Sequence, residues 1–370
     1  MTNCSKTSGV PDPHRLPKYS DLLREEGPPA ASILGGIGMK RILIFILLLA
    51  LAVSGCAGGT GEAGTLPQPE NRLVVYTSHK EEVYRPIIRE FEERTGIWVE
   101  LVTGGSNELL ARLEAERNAP RADVMFGGGV ESLESYRHLF QPVHCAELEQ
   151  VSAGLRRESD SWVPFSALPL VLIYNVKLVD PARLTGWEDL TRPEFQGKIA
   201  FADPTKSASS FTAVVTVLQA CGEDTLTRLA QSLGGSQLGS SGEVLTAVAD
   251  GEALVGITLE ETALQRIAAG DNLGLVYPGE GTSCVPDGTA LVSGAPHREN
   301  GEKFLEFTLS REVQQLLGSR FYRRSVREDV TAPSSLPAAE DLALIAYDPR
   351  WASAHREEIL SQWAAAVEGR

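Results

Sequence analysis

Three serines crowd the segment Asp203-Pro204-Thr205-Lys206-Ser207-Ala208-Ser209-Ser210. Hydroxyls beside the unpaired N–H groups of a helix start form a cradle for an anion, with no metal needed. Lys206, Ser207, Ser209 and Ser210 are therefore candidate ligand contacts. A helix N-cap explains one such serine but not three. Glu260 and Glu261 close an apolar run and open a helical pattern. The helix dipole favours carboxylates there, and either one could also accept hydrogen bonds from ligand hydroxyls or pair with a ligand ammonium. Ser78-His79, Gly104-Gly105-Ser106 and Gly127-Gly128-Gly129 each follow a short β-branched or apolar run. Ser78, His79, Gly105, Ser106, Gly128 and Gly129 thus join the candidate site, although a tight turn is the plainer explanation for any one glycine loop.

Hydrolysis is the competing chemistry. Ser207, His79 and Asp203 would have to act as nucleophile, base and orienting acid, and nothing in their spacing supports a serine-type phosphoesterase. The chain has no Gly-x-Ser-x-Gly elbow, no paired-histidine metal motif and no Walker loop. The reading is a binding protein with no catalytic residues, no metal and no cofactor.

The elements that must position these residues alternate. Leu73–Thr77 reads as a strand, followed by a helix with Val83, Ile87, Ile88 and Phe91 on one face and Gly96 as its stop. Pro86 fits that helix only near its first turns. A strand over 97–103, a helix over 107–117 and a strand over 122–126 complete a pattern of parallel strands with helical crossovers. In such sheets ligands sit at the carboxyl ends of strands. A second unit of the same class follows the apolar stretch Ala167–Tyr174. It has a strand over 198–202, a helix burying Phe211, Val214, Val215 and Leu218, and a capping-box start at Ser240 with Glu243. Strands over 253–259 and 273–277 come next, then a return through 279–288 to a strand over 289–292 and closing helices. The expected architecture is α/β, with two lobes joined by two crossings around a hinged cleft. Lobe 1 takes residues 71–168 and 289–370, and lobe 2 takes 169–288.

Ahead of these units, Met39-Lys40-Arg41 precedes twelve apolar residues, Ile42–Val53, and then Ser54-Gly55-Cys56. Positive charge, a short apolar run and small residues before a break make an export signal over 39–55, and the run is too short to span a bilayer comfortably. Residues 1–38 are read as an upstream extension, and 56–70, rich in Gly, Thr and Pro, as a flexible tether. Cleavage before Cys56 leaves 315 residues. It removes six basic and four acidic residues, taking the net charge from −15 to −17. An acidic chain without a basic run is a poor partner for nucleic acid. Cys145, Cys221 and Cys284 remain, too widely spaced for a zinc site, with one disulfide possible among them.

The segments Val74–Glu81, Phe91–Val99, Ala122–Phe126, Ala167–Asn175 and Asp203–Ser209 resemble bacterial periplasmic ferric-ion-binding proteins and their relatives among extracellular solute-binding proteins. The Val-Ser-Gly-Cys ending resembles a lipobox, which implies lipidation of Cys56. The resemblance implies a periplasmic-binding-protein fold of type II. It also implies a monomer, anchored to the cell envelope, that serves an ABC transporter permease. Members of the family take ferric ion, phosphonates, sugar phosphates or thiamine. His79 matches the histidine of the iron binders. Their glutamate position falls in Gly127–Gly129 and their tyrosine pair in Ile257–Glu261, so the phenolates are missing while the serine-bearing anion half is kept. That combination implies a sugar phosphate, organophosphate or phosphonate as ligand, ahead of thiamine compounds and of ferric ion.

Overall fold

The computed structural model describes residues 69–155, 161–332 and 336–369. The export signal, Cys56 and nearly all of the tether lie outside the described residues. All described residues belong to the unit Leu66–Arg370.

Strands β1 (Arg72–Thr77), β2 (Trp98–Thr103) and β3 (Val124–Gly129) pair in parallel through helices α1 (Glu81–Thr95) and α2 (Ser106–Glu116). Helix α1 buries Val83, Ile87, Ile88 and Phe91 and stops at Gly96, whose φ of 68° is left-handed. Only glycine adopts that conformation without strain. The expected strand over 122–126 runs on through the glycine triad, with a register shift between Phe126 and Gly129. Helix α3 (Val130–Ser135) follows immediately. The glycines thus form a bulged strand end, and Gly127 and Gly128 have φ of 98° and 108°.

Strand β4 (Val163–Asn175) is long enough to serve both halves of the molecule. Up to Pro169 it pairs with β8 (Cys284–Leu291), and from Leu170 onward with β6 (Val255–Leu259) and β7 (Leu273–Val276). Strand β8 begins within the stretch 279–288, which was expected to be a loop, and it places Asp287 in the sheet. The short β5 (Ile199–Ala200) completes the order β2-β1-β3-β8-β4-β6-β5, with β7 beside β4. The sheet is mixed, because the crossing strands β4 and β8 run antiparallel to each other.

On the β5–β6 side lie α4 (Ala208–Cys221), α5 (Glu223–Ser232), α6 (Ser241–Ala249) and α7 (Glu260–Ala268). Helix α6 has the expected capping box: the Glu243 N–H donates to Ser240 Oγ at 3.3 Å, and Gly239 N–H donates to the Glu243 carboxylate at 3.0 Å. Helices α8 (Arg298–Leu309) and α9 (Arg311–Phe321) pack with the first half, burying Phe304 and Leu317. The chain's end, expected in lobe 1, is shared between the halves: helix α10 (Pro349–Ala354) packs on α3 in the first half. Helix α11 (Arg356–Val367) then packs on α5, with Trp363 against Phe201 at 5.0 Å. The reason is apolar burial, since Ile359 and Trp363 share a core with Leu226 and Leu229. Cys145, Cys221 and Cys284 are all free thiols, so no disulfide joins them.

Candidate functional site

The strand ends of the first half converge. His79 is 9% exposed, and its ring meets Phe126 edge-on at 4.4 Å and Phe165 at 5.1 Å. A Cβ on Gly127 would lie 3.0 Å from His79 Nε2 and 2.9 Å from Ser78 Oγ. Glycine is thus required there by space as well as by φ. A Cβ on Gly128 would come within 3.8 Å of Ser106 Cβ, while Gly105 stands exposed at the N-cap of α2. Burial pushes the His79 imidazole down to about 3, opposed by Asp287 and reinforced by Arg323. The ring is neutral at physiological pH. Its Nδ1 lies 3.8 Å from Asp287 Oδ2, too far for a hydrogen bond, and its Nε2 has no partner among the described residues.

Across from this lip, Ser207 is the N-cap of α4. Ser210 N–H donates to Ser207 Oγ at 3.3 Å, and the Ser207 and Ser209 hydroxyls are 3.2 Å apart. Asp203 Oδ1 accepts from Thr205 N–H at 2.9 Å and from its hydroxyl at 2.6 Å, fixing the turn before the helix. Lys206 leans to Asp203 at 3.4 Å with most of its side chain in solvent. A Cβ on Gly129 would lie 4.0 Å from Ala208 Cβ, so the glycine lip and the serine loop meet. Asp203 is engaged by Thr205 and Lys206, and His79 faces Asp287 instead. The serine-hydrolase constellation is therefore not assembled.

Glu260 and Glu261 are placed differently from expectation. Both are buried and held by arginines from the segment after α9. Arg324 grips Glu260 through two hydrogen bonds, Nε to Oε2 at 2.8 Å and Nη2 to Oε1 at 2.7 Å. Tyr277 donates its hydroxyl to the same carboxylate. Burial and this hydrogen bond both raise the Tyr277 phenol. Arg323 bridges Asp287 at 2.7 Å, the Ser166 hydroxyl at 3.1 Å and Glu261 at 3.3 Å. Burial works against the Arg323 charge, but Glu261 and Asp287 outweigh it. Two more partners join the halves near the serine loop. Buried Glu131, on the first turn of α3, accepts from the Thr212 hydroxyl of α4 at 2.9 Å and from the Tyr347 hydroxyl.

The sequence pattern of the family described as "Bacterial extracellular solute-binding protein" matches residues 73–323. The chain belongs to this family. The solute-binding protein is 27% identical over 288 residues to iron uptake protein A1 of Synechocystis, covering 73% of this chain and 80% of that one. It is also 27% identical over 281 residues to a putative 2-aminoethylphosphonate-binding periplasmic protein of Salmonella typhi, covering 70% and 80%. Its fold matches the periplasmic binding protein AfuA of Actinobacillus pleuropneumoniae, solved with fructose-6-phosphate. The TM-score is 0.72 at 24% identity, over 80% of this chain and 98% of that one. The chain is thus a periplasmic-type binder that serves a transporter permease with a small-molecule solute, and not an enzyme.

In this solute-binding protein, Ser78, His79, Ser106, Gly128, Gly129, Ser207 and Ser209 converge at the junction of the two halves. Glu260 and Glu261 stand in a charged cluster that adjoins this group at His79, whose Nδ1 faces Asp287. Sequence reading missed Arg323, Arg324, Asp287, Ser166, Tyr277 and Glu131. Among the described residues, no three His, Cys, Asp or Glu side chains are arranged to hold a metal ion. A cavity of about 1300 Å³ is walled by Ala167, Cys284, Val285, Arg324 and Tyr347. It is not lined by Ser207 or His79, so its size does not make it the ligand site.

Proposed function

We propose that this solute-binding protein captures a small organic anion, a sugar phosphate, organophosphate or phosphonate, and delivers it to an ABC importer. The observation that carries this reading is the start of α4, where Ser207, Ser209 and the first helical N–H groups face a glycine lip with a neutral histidine. Helix N–H groups and hydroxyls suit a phosphoryl group, and close glycines leave room for it. Glu131 stands beside this place. A Cβ on Gly129 would lie 3.1 Å from its Oε2, while its Oε1 accepts from Thr212 and Tyr347, so Oε2 is the carboxylate oxygen we assign to a ligand hydroxyl or ammonium. Glu260 and Glu261, the candidates for that role from the sequence, are occupied by Arg324 and Arg323. Ferric ion fits less well, because Glu260 and Glu261, in the stretch that matches the iron binders' tyrosine pair, are neutralised by arginines.

The protein works as a monomer tethered to the envelope through Cys56, after removal of 39–55. Two lobes close on the ligand, and they divide where β4 changes partners between Pro169 and Leu170. Native mass spectrometry of protein purified from its host tests the ligand: a bound mass of a phosphorylated or phosphonate solute, released unchanged on mild denaturation, is expected. A bound iron, or steady turnover of a phosphate ester, rejects the reading. For the anchor, fatty-acid labelling should be lost in Cys56→Ser, and equal labelling of both proteins removes it.

A further inference from the structure

The glycine lip and the helix start opposite it carry unlike groups. His79 Nε2 is buried without a hydrogen-bond partner among the described residues, and it lies 3.0 Å from where a Cβ on Gly127 would stand. On the other edge of the ring, Nδ1 faces Asp287 Oδ2 at 3.8 Å. A carboxylate on that side favours the tautomer with its proton on Nδ1, which leaves a lone pair on Nε2. At Gly129, Glu131 Oε2 lies 3.1 Å from the place of a Cβ, while Oε1 takes the Thr212 and Tyr347 hydroxyls. Both polar atoms at the lip are therefore acceptors. The start of α4 offers the reverse, the Ser207 and Ser209 hydroxyls with the first helical N–H groups.

The surrounding charges favour a cationic donor at the lip over a neutral one. Glu260, Glu261 and Asp287 are met by Arg323 and Arg324. Glu131 is met by Arg356, whose guanidinium lies over the Phe211 ring at 4.1 Å; burial disfavours the Arg356 charge and Glu131 supports it. Four buried carboxylates against three guanidiniums leave one negative charge beside a ring that burial keeps uncharged.

We propose that His79 Nε2 and Glu131 Oε2 select a ligand with an ammonium group at the end opposite its phosphoryl group, an aminoalkyl phosphonate or an amino-bearing phosphate ester, bound with its anion at α4 and its ammonium at the glycine lip. The proposal rests on the reading that α4 holds the anion, and it adds the ligand's other end and its orientation. An ammonium brings three donors and a positive charge to two acceptors, whereas a hydroxyl brings one donor and no charge. A ligand with an apolar end would shut both acceptors away from water unpaired. That penalty is the larger source of discrimination.

Calorimetric titration with 2-aminoethylphosphonate, 2-hydroxyethylphosphonate and propylphosphonate, which are nearly equal in size, tests it. The wild type should bind the amino probe about tenfold more tightly than the hydroxyl probe and about a hundredfold more tightly than the propyl probe. His79→Phe keeps a ring against Phe126 and Phe165 but removes the acceptor. It should narrow the amino-to-propyl ratio to about tenfold with little change for the propyl probe, and His79→Gln, whose amide oxygen accepts, should retain more of the ratio. Glu131→Gln should narrow the ratio as well, and it carries the test if His79→Phe fails to fold by circular dichroism. Ser207→Ala/Ser209→Ala should weaken all three probes alike and leave the ratio intact. A wild type that binds the amino and propyl probes equally overturns the proposal and leaves the anion site standing. So does a folded His79→Phe protein with an unchanged ratio. Binding of none of the three probes overturns the underlying reading and this proposal with it.

Discussion

The two polar regions at the junction of the halves contain different chemistry. At the head of α7, every carboxylate has a guanidinium: Glu260 with Arg324, Glu261 and Asp287 with Arg323. At the head of α4 there are hydroxyls and N–H groups, with Ser207 spending part of its capacity on capping. A self-satisfied charged cluster resists change and positions what surrounds it. A helix start with donors to spare is where an anion gains most. The contrast separates the residues that hold the molecule in shape from those proposed to meet the ligand, although both sets sit at helix starts.

The largest expected effect tests the first region. Arg324→Met leaves the Glu260 carboxylate buried without its cation and should lower the free energy of urea unfolding by about 3 to 5 kcal/mol. Replacing both partners, as Arg324→Met with Glu260→Leu, should recover most of that loss. Failure to recover would show that Arg324 matters for more than its charge partner.

An intermediate effect tests the boundary between the regions, where His79 lies. Its folded value of about 3 is below the ordinary 6.5, so between these pH values the unfolded chain binds a proton that the folded chain excludes. Stability should therefore fall on acidification through this window, His79 contributing at most about 1.4 kcal/mol per pH unit. His79→Gln should flatten the profile measured by denaturant unfolding. An unchanged slope would mean that the ring is protonated in the folded protein.

The smallest effect belongs to the second region. Ser207→Ala removes one helix cap and should cost only about 0.5 to 2 kcal/mol in thermal unfolding. A loss as large as that of Arg324→Met would erase the distinction drawn between the two helix starts.

What sequence reading recovers, and what it misses, divides along the same line. Helix α1 is legible because its information is local: four apolar residues on one face and a glycine stop. The capping box at Ser240 and the cap at Ser207 are likewise short-range. Strand β8 begins with Cys284-Val285-Pro286-Asp287-Gly288, and Pro, Asp and Gly are poor strand formers. Pairing with β3 and β4 on both sides overrides that preference, and Arg323 satisfies Asp287. The charged cluster is illegible for a related reason. Glu261 and Arg323 are 62 residues apart, and Glu260 and Arg324 are 64 apart, with no local pattern to join them. Glu131 is hidden by following three glycines that draw attention to the backbone, while its partners Thr212 and Tyr347 lie far along the chain.

Calorimetric titration of the wild type and of Ser207→Ala/Ser209→Ala tests the central claim most directly, with fructose 6-phosphate, 2-aminoethylphosphonate, inorganic phosphate and Fe³⁺ as probes. Each charge-assisted hydrogen bond is worth about 1.5 to 3 kcal/mol. The wild type should bind a phosphorylated or phosphonate probe, and the double variant should bind it at least about a hundredfold more weakly while remaining folded. Tight binding of Fe³⁺ with no response to the phosphorylated or phosphonate probes would contradict the account, as would a double variant that binds like the wild type.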